Sequence, residues 1–182
     1  LPTYEMPAAE EFPMFAENRV HQRSSGRTYP NKAVVKVNHS KREERGYTSI
    51  CLENEYIRVV ILPEIGGRIY SATDKATGYD FFYKQHVVKP ALIGALGAWV
   101  SGGVEFNWPF HHRPSGFMPC DYDLEELEDG SAVCWLSEHD PVDRMKGMVG
   151  IVLRPGETCF ETRMKLYNRT DVPHSFLWWE NA

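Results

Sequence analysis

Short apolar runs separated by turn dipeptides dominate the chain from Ala33 onward, and almost nothing in them repeats at helical spacing. Residues 56–62 read YIRVVIL, with hardly any polar face, which predicts a strand inside a sheet rather than at its edge. Residues 159–166 alternate instead. Phe160, Thr162, Met164 and Leu166 would face one side and Cys159, Glu161, Arg163 and Lys165 the other, as a half-solvated strand requires. Residues 133–136, 148–153 and 175–179 predict further strands, the last with Trp178 and Trp179 on opposite faces. Asp129-Gly130 and Pro155-Gly156 supply the residues that tight turns demand between them. The one helical stretch expected, residues 123–128, is short and acidic. No repeat of fixed period interrupts this pattern, which predicts an all-β, antiparallel β-sandwich.

Residues 1–32 read differently. Pro2, Pro7, Pro13 and Pro30, the acidic pair Glu10 and Glu11 and a polar stretch at 22–27 predict an extended arm ahead of a domain at 33–182. Tyr4, Phe12, Phe15 and Tyr29 would anchor that arm to the domain surface. The chain stops directly after the apolar run 176–179, so the sandwich is expected to be incomplete at its C-terminus.

With 182 residues, 42% hydrophobic and 25% charged, the chain is long enough for one well-cored domain. Its 20 Lys and Arg against 25 Asp and Glu leave a net charge of −5, which argues against nucleic acid or an anionic lipid surface as partner. No apolar run is long enough to span a bilayer and residues 1–30 lack the basic start and apolar run of a signal peptide, so no membrane association is expected. Cys51, Cys120, Cys134 and Cys159 lie far apart without a CxxC pair, the usage of reduced thiols in a cytoplasm.

The chemistry concentrates in WVSGGVEFNWPFHHRPSGFMPC, residues 99–120. Its glycines and prolines predict a loop across the end of a sheet, where binding residues collect on a rigid scaffold. Aromatic faces of Trp99 and Trp108 suit the C–H face of a sugar ring, and Glu105, Asn107, His111, His112 and Arg113 suit its hydroxyls. Each has a plainer reading: the tryptophans as core, Glu105 and Arg113 as an ion pair, and one of the two adjacent histidines as structural, since neighbours in extended chain point apart. By residue type Glu105, His111 and His112 are also a zinc set, but neither HExxH nor a Cys/His quartet occurs, so no metal or other cofactor is expected. No GxSxG elbow or phosphate-cradling glycine loop is present. Two more stretches join the candidate cleft: LPEIGGRIYSAT, with Arg68 after a glycine pair, and NRTDVPHSFLWWEN, with Trp179 and Glu180 near a strand end.

Taken in order, LENEYIRVVILPEIGGRIYSATDKATG, GGVEFNWPFHHRPSG and YNRTDVPHSFLWWENA resemble the galactose mutarotase-like superfamily and, more closely, the bacterial domain family DUF5107, often found ahead of tetratricopeptide repeats. The resemblance implies a β-supersandwich with a carbohydrate cleft on its concave sheet, and a tetratricopeptide-repeat region in the full-length protein. It places His112 about where the superfamily has a substrate-contacting histidine. The epimerase acid histidine would fall in residues 175–181, which hold Trp178, Trp179 and Glu180 instead, and the base glutamate would lie past Ala182, so mutarotase activity is not expected. Glu105, flanked by Asn107 and His111, stands as acid or nucleophile for glycosidic chemistry, with His112 and Arg113 holding hydroxyls or a carboxylate. Asp121, Asp123 and Glu180 are the candidate second carboxylates, which that chemistry needs about 5–9.5 Å away. The expected function is saccharide binding, with glycoside hydrolase or epimerase-like chemistry in the full-length chain. A structural or protein-interaction domain is the alternative, and either is compatible with a homodimer.

Overall fold

A computed structural model describes residues 1–5, 38–89, 91–92, 98–109, 113, 116–140 and 144–182. Every regular element among them is a strand: β1 (Pro2–Glu5), β2 (Asn38–Glu44), β3 (Ile50–Glu53), β4 (Ile57–Leu62), β5 (Arg68–Asp74), β6 (Ala91–Leu92), β7 (Ala98–Trp99), β8 (Glu105–Asn107), β9 (Asp121–Glu126), β10 (Ala132–Asp140), β11 (Met145–Leu153), β12 (Phe160–Asn168) and β13 (Trp179–Asn181). Among the described residues no helix is long and apolar enough to cross a membrane.

All the strand ladders are antiparallel; β1–β2 and β6–β7 form separate pairs, and the rest build two sheets that face each other. In one, β12, β11, β10 and β9 lie side by side, with β10 and β11 paired along their full length from Ala132–Leu153 to Asp140–Met145. In the other, β3, β4 and β5 are continued by β8 and β13. The join is a pair of main-chain hydrogen bonds between Ile69 and Val104, at 3.1 and 2.8 Å. Val59, Ile61, Ile69 and Phe106 from this sheet share one core with Cys134, Leu136, Val149 and Ile151 from the other. The fold is thus the antiparallel β-sandwich that the alternation predicts, and the YIRVVIL run occupies the centre of its three-stranded ladder. Both Gly turns form, with Gly130 and Gly156 at φ 80° and 72°.

Three local expectations change. Residues 123–128 are not helical: β9 takes Asp121–Glu126, placing Tyr122 opposite Leu136 and Leu124 opposite Cys134. All six residues of this edge strand are exposed, so its carboxylates imitate a solvated helix while Tyr122 and Leu124 keep the period of two. Residues 175–178 are irregular, and only Trp179 onward is strand: the Leu177 N–H still reaches the Pro109 carbonyl at 2.6 Å in register with β13–β8, but proline has no N–H to return the bond. Met164 alternates as expected toward the core side, opposite Val149, yet remains 43% exposed on the outermost strand.

At the chain start β1 pairs with β2, Thr3 bridges to Val88, and Tyr4 packs on a second apolar cluster of Leu62, Ile65, Val88, Val100 and Phe117. Phe12, Phe15 and Tyr29 of the expected arm lie outside the described residues.

Two tests follow from the packing. A Cβ on Gly147 would stand 2.2 Å from the Trp108 indole, so Gly147→Ala is expected to destabilise the sandwich by about 1–3 kcal/mol. An unchanged urea midpoint would refute this packing. Burial pushes the Cys120 thiol up to about 11 and the Cys134 thiol up to about 12, whereas Cys51 and Cys159 are exposed. Ellman's reagent at about pH 8 should therefore label two thiols rapidly and the other two only after unfolding, since the thiolate is the reactive form.

Candidate functional site

The stretch expected to be a loop contains a strand. β8 is buried along its whole length, and its period of two sends Phe106 into the core and turns Glu105 and Asn107 to the opposite face. On the same face, the neighbouring β5 opens with Arg68 and β13 closes with Asn181, whose pairing partner is Glu105 itself. The close approach of β5 and β8 depends on Gly103. It has φ 68°, and a Cβ there would lie 2.0 Å from the Ile69 carbonyl oxygen.

These side chains meet at a cavity of about 270 Å³ whose wall includes Arg68, Tyr83, Ser101, Gly102, Glu105 and Asn181. Arg68 is 3% exposed. Its Nη1 donates to the Gly102 carbonyl at 2.6 Å, while its Nε, fully buried, has no partner among the described residues. Burial lowers the guanidinium to about 10, the Glu105 carboxylate draws it back up, and Arg113 lowers it further, so it stays charged at neutral pH. Glu105 is 7% exposed and accepts a hydrogen bond from Asn181 Nδ2 at 3.2 Å. A buried cation and a buried anion thus sit side by side in one concave site, with one guanidinium donor left over.

The other residues expected at the cleft divide. Arg113 and Trp108 come together, but on the core side. Arg113 donates Nε to the Phe106 carbonyl at 2.8 Å and Nη2 to the Gly66 carbonyl at 2.6 Å, and its Nη1 pairs with Glu138. Its guanidinium carbon stands 4.1 Å from the centre of the Trp108 ring, and Trp178 stacks on that ring at 5.6 Å and 8°. Trp108, 2% exposed, is therefore packing, and neither residue lines the cavity. Asn107 is buried, with its Oδ1 accepting from the Arg113 N–H at 3.1 Å. Trp179 is half-buried opposite Asn107, and Glu180 is exposed on the Phe106 side. His111, His112 and the Trp99 side chain lie outside the described residues. None of the expected second carboxylates lines the cavity: Asp121 and Asp123 belong to the edge of the other sheet, and Glu180 alternates away from Glu105. Among the described residues no cluster of His, Cys, Asp and Glu could hold a metal ion.

Of the wall residues outside the expected set, Asn181 and Tyr83 bring the large polar and aromatic side chains. Asn181 was legible, because alternation from Trp178 puts 179 and 181 on the cavity side. Tyr83, in the run Phe81-Phe82-Tyr83, carries no sequence signal that separates it from its neighbours.

A family model described as "Domain of unknown function (DUF5107)" matches residues 25–182. The chain belongs to the DUF5107 family. Among solved structures, this DUF5107 chain is similar to a TPR-domain containing protein from Parabacteroides distasonis ATCC 8503, with 23% identity and a TM-score of 0.80. That match covers 98% of this chain and 29% of the other, so the chain spans less than a third of the length of the protein it matches. At this identity the likeness concerns the fold.

Removing the partner of a buried charge tests the Arg113 arrangement. Glu138 keeps a fifth of its side-chain surface, so Glu138→Ala should cost about 2–4 kcal/mol, somewhat less than a fully buried pair. Glu138→Gln, which can still accept a hydrogen bond, should recover part of that loss. Equal stability of all three proteins in urea would show that the pair contributes nothing.

Proposed function

We propose that this DUF5107 domain binds a saccharide in the cavity between Arg68, Glu105 and Asn181. The observation that carries the reading is that Arg68 and Glu105, each more than nine-tenths buried and opposite in charge, both line one cavity. Opposite charges serving stability alone need no cavity beside them, whereas a polyol in that cavity brings oxygens that accept from a guanidinium and hydroxyls that donate to Glu105. The volume, near the lower end of the roughly 300–1,000 Å³ of small-molecule clefts, fits a single ring rather than a long glycan. The resemblance to the galactose mutarotase-like superfamily points the same way.

Binding is favoured over hydrolysis, because glycosidic cleavage needs a second carboxylate and, among the described residues, Glu105 is the one acidic side chain in the cavity wall. As part of the same proposal, the domain precedes a tetratricopeptide-repeat region in the full-length protein, an arrangement in keeping with its similarity to a TPR-domain containing protein.

The test is a thermal-shift and calorimetry screen against neutral aldoses, their methyl glycosides and short glycans. A ligand that binds the folded state raises Tm with its concentration. Glu105→Gln should weaken a hit by about tenfold, the scale of a charge-assisted hydrogen bond, and Arg68→Met should remove it. Absence of any shift across the panel would overturn the saccharide reading in favour of a structural or protein-interaction domain. Turnover of an aryl glycoside that disappears in Glu105→Gln would replace binding by catalysis.

A further inference from the structure

Tyr83 is 73% exposed, more than any other large apolar or aromatic side chain among the described residues, and it stands in the wall of the Arg68–Glu105 cavity. A single exposed tyrosine means little by itself. Its setting gives it meaning. The two residues before it, Phe81 and Phe82, turn inward and pack against the main core, with their rings 6.4 Å apart and Phe82 a further 6.3 Å from Phe160. Tyr83 is the member of that aromatic run left outside.

Its backbone is nonetheless tied down. The Gly103 N–H donates to the Tyr83 carbonyl at 2.7 Å, Lys84 bridges to Gly102, and Phe81 N–H donates to the Ala72 carbonyl at 2.7 Å. Lys84 is held in turn by Asp80 at 2.7 Å. The same Gly102 carbonyl takes the Arg68 guanidinium, so the tyrosine and the arginine are referred to one short piece of main chain. A tyrosine on a fixed backbone has two side-chain torsions to order, which makes it an inexpensive contact surface for a ligand.

We infer that the cavity takes one neutral pyranose ring, laid with its C–H face on Tyr83 and its hydroxyl edge toward Arg68, Glu105 and Asn181. The inference rests on the saccharide reading above and adds to it the stacking residue and the charge class of the sugar. Neutrality follows from the wall: the Arg68 charge is already matched by Glu105, so a uronic acid would meet a buried carboxylate as well as the guanidinium. The aromatic face supplies what the polar wall lacks, a flat apolar surface for ring carbons.

Calorimetric titration of this chain with methyl glucoside, methyl galactoside, methyl mannoside and the corresponding uronates provides the test, in wild type, Tyr83→Ala, Tyr83→Phe and Glu105→Gln. The strongest neutral binder should lose about tenfold in affinity with Tyr83→Ala and stay within about twofold with Tyr83→Phe, because the ring rather than the hydroxyl makes the contact. Its uronate should bind at least about tenfold more weakly and gain relative affinity in Glu105→Gln, since that variant removes the opposing charge. Tyr83 is exposed, so folding of its variants is not at stake. Unchanged affinity in Tyr83→Ala alongside a loss in Glu105→Gln would overturn the stacking inference and leave the saccharide reading standing. A uronate preferred over its neutral sugar would overturn the charge class. No binding of any of these probes to wild type would overturn both this inference and the reading beneath it.

Discussion

The guanidinium of Arg113 is buried where three parts of the chain converge, and the geometry of the site follows from how it is satisfied. Its donors reach the Gly66 carbonyl in the turn before β5, the Phe106 carbonyl in β8 and the Glu138 carboxylate in β10. A cation taken out of water must find an acceptor for its donors or the burial is strongly unfavourable. Meeting that demand ties one sheet to the other and fixes the turn from which Arg68 emerges. The Trp108 ring beneath it, stacked with Trp178 and pressed against Gly147, fills the remaining space with apolar surface.

Arg68 makes the opposite use of the same side chain. It is as deeply buried as Arg113, yet Nε is left without a partner among the described residues, and the residue lines a cavity beside Glu105. Two buried arginines with different hydrogen-bond balances thus separate the framework from the site. The saturated one holds strands together, and the unsaturated one retains capacity for a ligand. Gly103 connects the two roles, because its bare Cα lets β8 lie against Ile69 and so brings Glu105 beside Arg68.

Much of this was legible before any coordinates. The alternation in 159–166, the unbroken apolar run in 56–62 and the two Gly turns specify strands and their connections, because burial of one face is read directly as period two. Arg68 and Glu105 stood out as charges flanked by glycine pairs, and both reached the cavity. The same reasoning put Arg113 and Trp108 in the cleft, where packing sent them to the core. Residue type states what a group can bond to, and a guanidinium bonds equally well to main-chain carbonyls and to a ligand. The acidic edge strand β9 was misread for a related reason: with both faces exposed, period two carries no burial signal.

The sequence by itself determined the class of fold, the DUF5107 resemblance and the short stretches from which the site is drawn, since local patterns of apolar residues and glycines act through neighbouring backbone. Only the tertiary structure decided which side of β8 each polar group took, which arginine was satisfied, and that Tyr83 lines the cavity. Those outcomes depend on residues far apart in the chain. Phe81 and Phe82 pack against the core while Tyr83 stays outside, and the acceptors of Arg113 come from Gly66, Phe106 and Glu138, three separate parts of the chain.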